Sequence, residues 1–405
     1  MSETSNDILQ NSQKNEEENK KAEFIKNLEG KNINLLIGAG ASLPFLNSLK
    51  LDFKANENDK NKISITFEDL LEKAYDENDD ELKDYLCAYF LEKSLKNGTY
   101  SNICKCYNDE NTSCKQVLDN YIKLIKNLYN IIQRNSIGKP KRVNIFSTNY
   151  DMFFERAFDL IIRDNHNIYF NDGSYGFIDK TISTERFHMK YTNVGVDNKF
   201  EYELPMFNLL KLHGSLNWES ENIKNCTRIK INNELLESYN NEKLTFEDFE
   251  SLLSGDYKDN EDFFKELNFE LTVINDNRFH NYYKKLDKLS IVKPMKKKFS
   301  DTVFMEHYFQ GLRILTQELE RKQTVIIAFG FSFNDEHILS IIKRSLLNPE
   351  LMLYIICYND KAYKDIKLKF EGYNNICFIR DISKVCGDFN FFNDILTGGK
   401  YYEYK

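Results

Sequence analysis

Short apolar runs that stop at glycine or polar turns organise this chain. Ile33 to Ile37 stop at Gly38; residues 143–147 follow the Pro140-Lys141-Arg142 punctuation; residues 207–212 end at His213-Gly214; residues 324–330 end in Gly330; runs at 351–358 and 376–379 complete the set. Such runs predict strands buried on both faces, the pattern of a parallel sheet. Between them the apolar spacing becomes helical: Phe67, Leu70, Leu71 and Ala74; then Val117, Tyr121, Leu124, Ile125 and Leu128; then Phe153, Phe154, Ala157, Phe158 and Ile161. Helices are also predicted over 300–319 and from about residue 335 to 346. Strands alternating with helices predict an α/β fold, a doubly wound parallel sheet.

The remaining segments read differently. Residues 1–20 are a solvated tail, and 22–28 a short helix leading in. The polar stretch 96–114 reads as a loop, 164–205 as loop-rich with short strands such as 167–170, and 220–285 as charged and helical. The expected organisation is an N-terminal tail and helix at 1–30, a core built from 31–50, 141–218 and 290–385, helical insertions at 51–140 and 219–289, and a C-terminal segment at 386–405. There is no internal repeat and no heptad run.

Composition narrows the function classes. At 405 residues and 41% hydrophobic the chain is ample for a large core. The net charge of -8 argues against an extended nucleic-acid footprint, so direct DNA binding is not expected. The eight cysteines have no framework spacing, Met1 to Gly30 is mostly polar, and no apolar run approaches the roughly 20 residues of a membrane span. A cytoplasmic protein with free thiols is expected.

Ligands of open parallel sheets sit beyond the carboxyl ends of the strands, so the residues after each strand carry the candidate chemistry. After the first strand, Gly38-Ala39-Gly40-Ala41-Ser42 offers two glycines that let a diphosphate approach the backbone, with a helix start behind them; alone it is equally an ordinary turn, and the third glycine of a G-x-G-x-x-G fingerprint is replaced by Leu43. After the second, Thr148-Asn149-Tyr150-Asp151 aims Asn149 into the crevice, while Asp151 is also a good helix N-cap. After the third comes His213-Gly214-Ser215, a histidine suited to general-base work. After the fourth, Gly330-Phe331-Ser332-Phe333-Asn334-Asp335 again offers a glycine and a serine, with Asp335 as a second N-cap candidate.

Taken in order, the GAG-x-S, T-N-x-D, HG and G-x-S blocks resemble the sirtuin family, over roughly 31–50, 141–218 and 290–385. The resemblance implies a Rossmann-like core with NAD held by Gly38, Ala39, Gly40, Ser42, Thr148, Gly330 and Ser332. It implies Asn149 and Asp151 lining the nicotinamide pocket, His213 acting on the ribose hydroxyls and, more loosely, Asn359 on the adenosine ribose. Two departures count against acyl-lysine chemistry. The zinc ribbon that sirtuin deacylases carry after HG has no counterpart, since only Cys226 lies between His213 and Gly330; Cys104, Cys106 and Cys114 read as loop cysteines, and no metal is expected. The glycine turn continues Leu43-Pro44-Phe45 and lacks the arginine of the deacylase loop.

The chain is more similar to the sirtuin-like NAD-cleaving proteins of bacterial anti-phage defence, on 291–302 and on Gly330 to Ile338. That branch implies an NAD glycohydrolase releasing nicotinamide and ADP-ribose. Little of the chain lies beyond residue 385, which favours control in trans by a HerA-like hexameric ATPase or a phage-derived trigger, and a homo-oligomer. Deacylase or ADP-ribosyltransferase activity, and a non-catalytic NAD or ADP-ribose sensor, are the competing readings. Lys296 to Lys298 read as a solvated basic run, His337 as structural or interfacial, and Trp218 as packing the HG loop.

Overall fold

All six apolar runs form strands, and they lie side by side because each must bury both faces. The computed structural model describes residues 24–46, 51, 65–109, 111–223, 226–236, 244–255, 257, 260–273, 277–293, 302–380, 386–398 and 402–404. The expected tail at 1–20 and the Lys296–Lys298 run lie outside the described residues. In chain order the strands are β1 (Asn32–Ile37), β2 (Arg142–Ser147), β3 (Tyr169–Asn171), β4 (Ser174–Tyr175), β5 (Thr181–Ile182), β6 (Thr192–Asn193), β7 (Tyr202–Glu203) and β8 (Met206–Lys211). They continue as β9 (Gly214–Ile223), β10 (Cys226–Ile231), β11 (Leu289–Ile291), β12 (Thr324–Phe329), β13 (Leu351–Ile356), β14 (Ile376–Arg380) and β15 (Tyr402–Tyr404). The helices are α1 (Phe67–Asp76), α2 (Asp80–Phe90), α3 (Tyr100–Asn108), α4 (Thr112–Gln133), α5 (Phe153–Asp164) and α6 (Glu247–Leu253), then α7 (Asn260–Val273), α8 (Asn277–Lys288), α9 (Thr302–Leu319), α10 (Glu336–Ser345), α11 (Asp360–Lys369) and α12 (Phe389–Leu396).

The central sheet has the order β15-β14-β13-β12-β1-β2-β8-β3. Seven of its strands are parallel, and β15 closes one edge antiparallel to β14. Alternate residues feed two cores. Ile33, Leu35 and Ile37 pack with α4, α5 and α12, whereas Leu36 packs with α9 and α10 on the opposite face. This doubly wound arrangement is the predicted fold class.

One row across the sheet is polar. Asn34, Asn144, Asn208 and Asn171 occupy matching registers on β1, β2, β8 and β3, all buried. Asn144 donates to Asn34 Oδ1, Asn208 to Asn144 Oδ1 and Asn171 to Asn208 Oδ1, each at 2.9 Å. A one-residue slip of β2 or β8 would break two such bonds and a slip of β1 or β3 one, so the ladder fixes register where apolar packing alone is degenerate. Asn144→Leu strands Asn34 Oδ1 and an amide proton of Asn208. It should cost about 2–4 kcal/mol in urea unfolding; a loss below about 0.5 kcal/mol would remove the ladder's role.

A second sheet, β11-β9-β10-β5-β4, flanks the first. Here the reading of 220–285 as helical is corrected at its start. Gly214–Ile223 and Cys226–Ile231 pair as the antiparallel strands β9 and β10, with Ile229 buried and Arg228 exposed in strand alternation; the charge density of the segment masks that period. The helices α6, α7 and α8 follow, and they share one core with α1 and α2, joining Phe67, Leu86 and Phe90 to Phe249, Phe263 and Tyr282. The reading of 96–114 as a loop is also corrected. It contains α3, capped by Thr99, whose hydroxyl accepts from Asn102 N, and anchored by fully buried Ile103. A helix with a single buried apolar residue leaves almost no periodic signal. The C-terminal segment supplies α12 to the main core through Phe389, Phe392 and Ile395.

Candidate functional site

The first two strand ends to meet are those of β1 and β12. Gly38 N donates to Phe329 O and Gly40 N to Gly330 O, both at 3.0 Å. A Cβ on Gly38 would lie 2.5 Å from Gly330 O, one on Gly40 2.8 Å from Gly330 Cα, and one on Gly330 2.5 Å from Ala41 N. Gly330 has φ +64, a conformation that side chains disfavour. The glycines therefore let two backbone turns touch. Behind Gly38 stands a four-residue 3-10 turn, Ala39–Ser42, in place of the helix start expected there. A cavity of about 440 Å³ opens beside these turns, lined among others by Gly40, Pro44, Gly330, Ser332, Tyr358 and Asp388.

Ser42 reaches inward to the end of β2. Its hydroxyl donates to Asp151 Oδ2 at 2.7 Å. With that proton committed, the contacts with Tyr121 OH at 3.0 Å and Asn149 Nδ2 at 3.3 Å must be donated to Ser42 Oγ. The amide of Asn149 is thus oriented, with its nitrogen on Ser42. Its Oδ1 is buried and has no hydrogen-bond partner. Asp151 Oδ1 accepts from Phe153 N at 3.2 Å, so this carboxylate also holds the start of α5. Burial and the nearby Asp151 carboxylate raise the Tyr121 phenol well above its ordinary pKa, keeping it a donor.

His213, buried after β8, faces the end of β12. Its Nε2 lies 3.0 Å from Asp335 Oδ2, while Asp335 Oδ1 accepts from His337 N and Ile338 N as the N-cap of α10. The N-cap reading of Asp335 holds through one oxygen, and the other oxygen meets the histidine. The rings of Tyr150 and Tyr308 stand 6.5 Å and 6.3 Å from the imidazole.

Below the Asn149 turn lies a buried ion pair, Lys211 Nζ to Glu155 Oε1 at 3.4 Å. Burial raises the Glu155 carboxyl from 4.5 to about 7, against the pull of Lys211. A raised carboxyl binds its proton more tightly folded than unfolded, so its contribution is fully present below about pH 4.5 and is lost as pH rises through about 7. Glu155→Gln should remove that decline. The stability difference, variant minus wild type, should grow by up to about 3 kcal/mol between pH 4.5 and 7.5 in chemical denaturation. A difference flat with pH would mean that the carboxyl is not raised.

Other expected residues lie around this centre. Thr148 turns its hydroxyl to Ile37 O at 3.4 Å. Ala39 and Ser332 are exposed, Ser332 at the cavity rim. The Asn359 side chain accepts from Ala362 N at 2.9 Å as the N-cap of α11. Trp218 is buried and packs T-shaped against the ring of His307, whose imidazole burial lowers to about 4. Cys104 and Cys106 are half-buried on α3, and Cys114 is buried on α4 with its thiol pushed up to about 12. Among the described residues no group of three or more His, Cys, Asp or Glu could hold a metal ion, and no helix is long and apolar enough to cross a membrane.

Sequence reasoning missed Tyr121, read as one more apolar position of α4. A tyrosine on a fully buried helix face requires a partner for its hydroxyl, and that requirement was the available signal. It also missed the His213–Asp335 contact, which joins residues 122 apart. In comparisons with known proteins, a family model described as a SIR2-like domain matches residues 143–379, more than half of the chain. The match takes in Asn149, Asp151, His213, Gly330 and Asp335. No curated protein matches the chain.

Proposed function

The chain belongs to the SIR2-like family, NAD-dependent enzymes, and from that premise we propose that it is an NAD glycohydrolase. One observation carries the reading: a buried amide oxygen, Asn149 Oδ1, oriented by Ser42 and left without a partner past the carboxyl end of β2. A buried acceptor kept unmet costs free energy, on the order of 1–3 kcal/mol, and such a cost is expected where a ligand group completes the bond.

In the proposed reaction the bond between C1′ of the ribose and N1 of nicotinamide breaks, and its electron pair leaves with neutral nicotinamide. A water oxygen bonds to C1′, and its proton passes to a base, giving ADP-ribose. Asn149 Oδ1 accepts from a ribose hydroxyl or from the attacking water, fixing its approach. His213 takes the proton, and Asp335 stabilises the imidazolium that results. Asp151 stabilises positive charge developing near C1′. The touching turns at Gly38, Gly40 and Gly330 hold the diphosphate, and the cavity beside Ser332 the adenosine half, with Ala39, Ser42, Thr148 and Asn359 in supporting contact.

The same proposal extends to NAD depletion in anti-phage defence by a homo-oligomer, set off by a HerA-like hexameric ATPase or a phage-derived trigger. What supports restraint of this kind is the seat of the helical unit. Met152 N donates to Gly98 O at 2.9 Å and Tyr150 OH to Val292 O at 2.6 Å, so both flanks of that unit bear on the catalytic turn. The test is chromatography of nicotinamide and ADP-ribose from NAD incubated with the protein, alone and with a candidate ATPase. Equal release of both products supports the hydrolase. NAD bound under every condition without nicotinamide would replace it with the sensor reading.

A further inference from the structure

Asn149 and His213 stand beyond neighbouring strands whose last ladder pair is Ser147 with Lys211. Past that pair the chain leaves the sheet for α5, and the carbonyls of Asn149 and Asp151 lose any ladder partner. Lys211 serves both: its ammonium donates to Asn149 O at 3.3 Å and to Asp151 O, and its third contact is Glu155 Oε1 at 3.4 Å. Two of its N–H groups thus meet the two carbonyls, and its buried charge faces the Glu155 carboxylate. Asp151 and Glu155 are four residues apart at the start of α5, which lets one ammonium reach both.

We propose that Lys211 is a positioning residue for the reaction, holding the Asn149–Asp151 turn at a fixed height against the strand that delivers His213 two residues later. Glu155 is its counter-charge. The inference rests on the NAD-cleavage reading and deepens it. It makes β8 the element that sets the distance between the two candidate catalytic side chains: its Lys211 fixes one and its end carries the other. A merely structural lysine would balance the buried charge of Glu155 and do no more. The two roles separate in a double variant.

Lys211→Met alone leaves Glu155 uncompensated and lowers stability under either role. Lys211→Met with Glu155→Gln removes both charges while keeping volume. If Lys211 positions the turn, the double variant recovers only part of the stability lost by Lys211→Met, because the charge imbalance is gone but the Asn149 and Asp151 carbonyls still lack their donor. Its kcat stays ~10²-fold down with KM within about threefold, because a displaced catalytic group costs turnover more than binding. Amide hydrogen exchange should then quicken across 147–153 and remain unchanged elsewhere in the sheet. Recovery of kcat together with stability, or unaltered exchange across 147–153, overturns the proposal. Should the single variant fail to fold, the double variant carries the test. If wild type releases no nicotinamide, the NAD-cleavage reading falls on its own, and the exchange data still decide whether Lys211 holds the turn.

Discussion

Asn149→Ala should lower nicotinamide release at saturating NAD by at least ~10²-fold, with NAD affinity changed less than about threefold. The reasoning starts from donor counting. Ser42 has one proton, given to Asp151, so the Asn149 amide nitrogen must point at Ser42 and its oxygen away. An oxygen so fixed accepts a hydrogen bond without reorganising as the reaction proceeds, and this kind of preorganised contact is stronger in the transition state than in the ground state. Affinity is spared because the contacts proposed for the diphosphate and adenosine lie chiefly beyond β1 and β12, not on the Asn149 turn. Asn149→Asp keeps an acceptor but loses the donor to Ser42 and sets a second carboxylate near Asp151; it should fail about as badly. Turnover within about threefold of wild type in the alanine variant would remove Asn149 from the chemistry. A KM effect with kcat intact would assign it to substrate binding.

Much of this arrangement was legible in the sequence, and the reasons differ by element. The strands β1, β2, β8, β12, β13 and β14 were legible because a strand buried on both faces must be apolar throughout, and their carboxyl ends are where open sheets bind ligands. Gly38, Asn149, His213 and Gly330 stood out as the residues after those strands. The antiparallel pair β9–β10 was not legible, because Glu219, Glu221, Arg228 and Lys230 raise the charge density of strands that are only half buried. Nor was α3, whose hold on the core is Ile103. What pairing adds was wholly out of reach: Tyr121 beneath Ser42, Asp335 on His213 and Lys211 under the turn are long-range partnerships, and no local pattern encodes a partner 79 or 122 residues away. The asparagine ladder shows the limit clearly, since each of its residues reads in isolation as a blemish in an apolar strand.

Gly330→Ala should strongly destabilise the protein. The new Cβ would stand 2.5 Å from Ala41 N, on backbone that cannot rotate aside, and alanine at φ +64 adds conformational strain. The two penalties together come to about 2–5 kcal/mol, the first from overpacking and the second from the left-handed conformation. Gly40→Ala meets the same surface from the other side, at 2.8 Å from Gly330 Cα, but without a positive φ, and should cost less. Ser332→Ala, at an exposed rim position, should leave stability within about 0.5 kcal/mol. Urea unfolding of the three variants, alongside calorimetric titration with NAD, separates two roles for the glycines. If Gly330→Ala loses stability and NAD binding together, the contact between the β1 and β12 turns is the structure that shapes the diphosphate site, and ligand binding depends on it. If Gly330→Ala keeps wild-type stability but no longer binds NAD, the turns tolerate separation and the glycine serves the ligand directly. Unchanged stability and unchanged binding would mean that the close approach of the two turns is not needed for either.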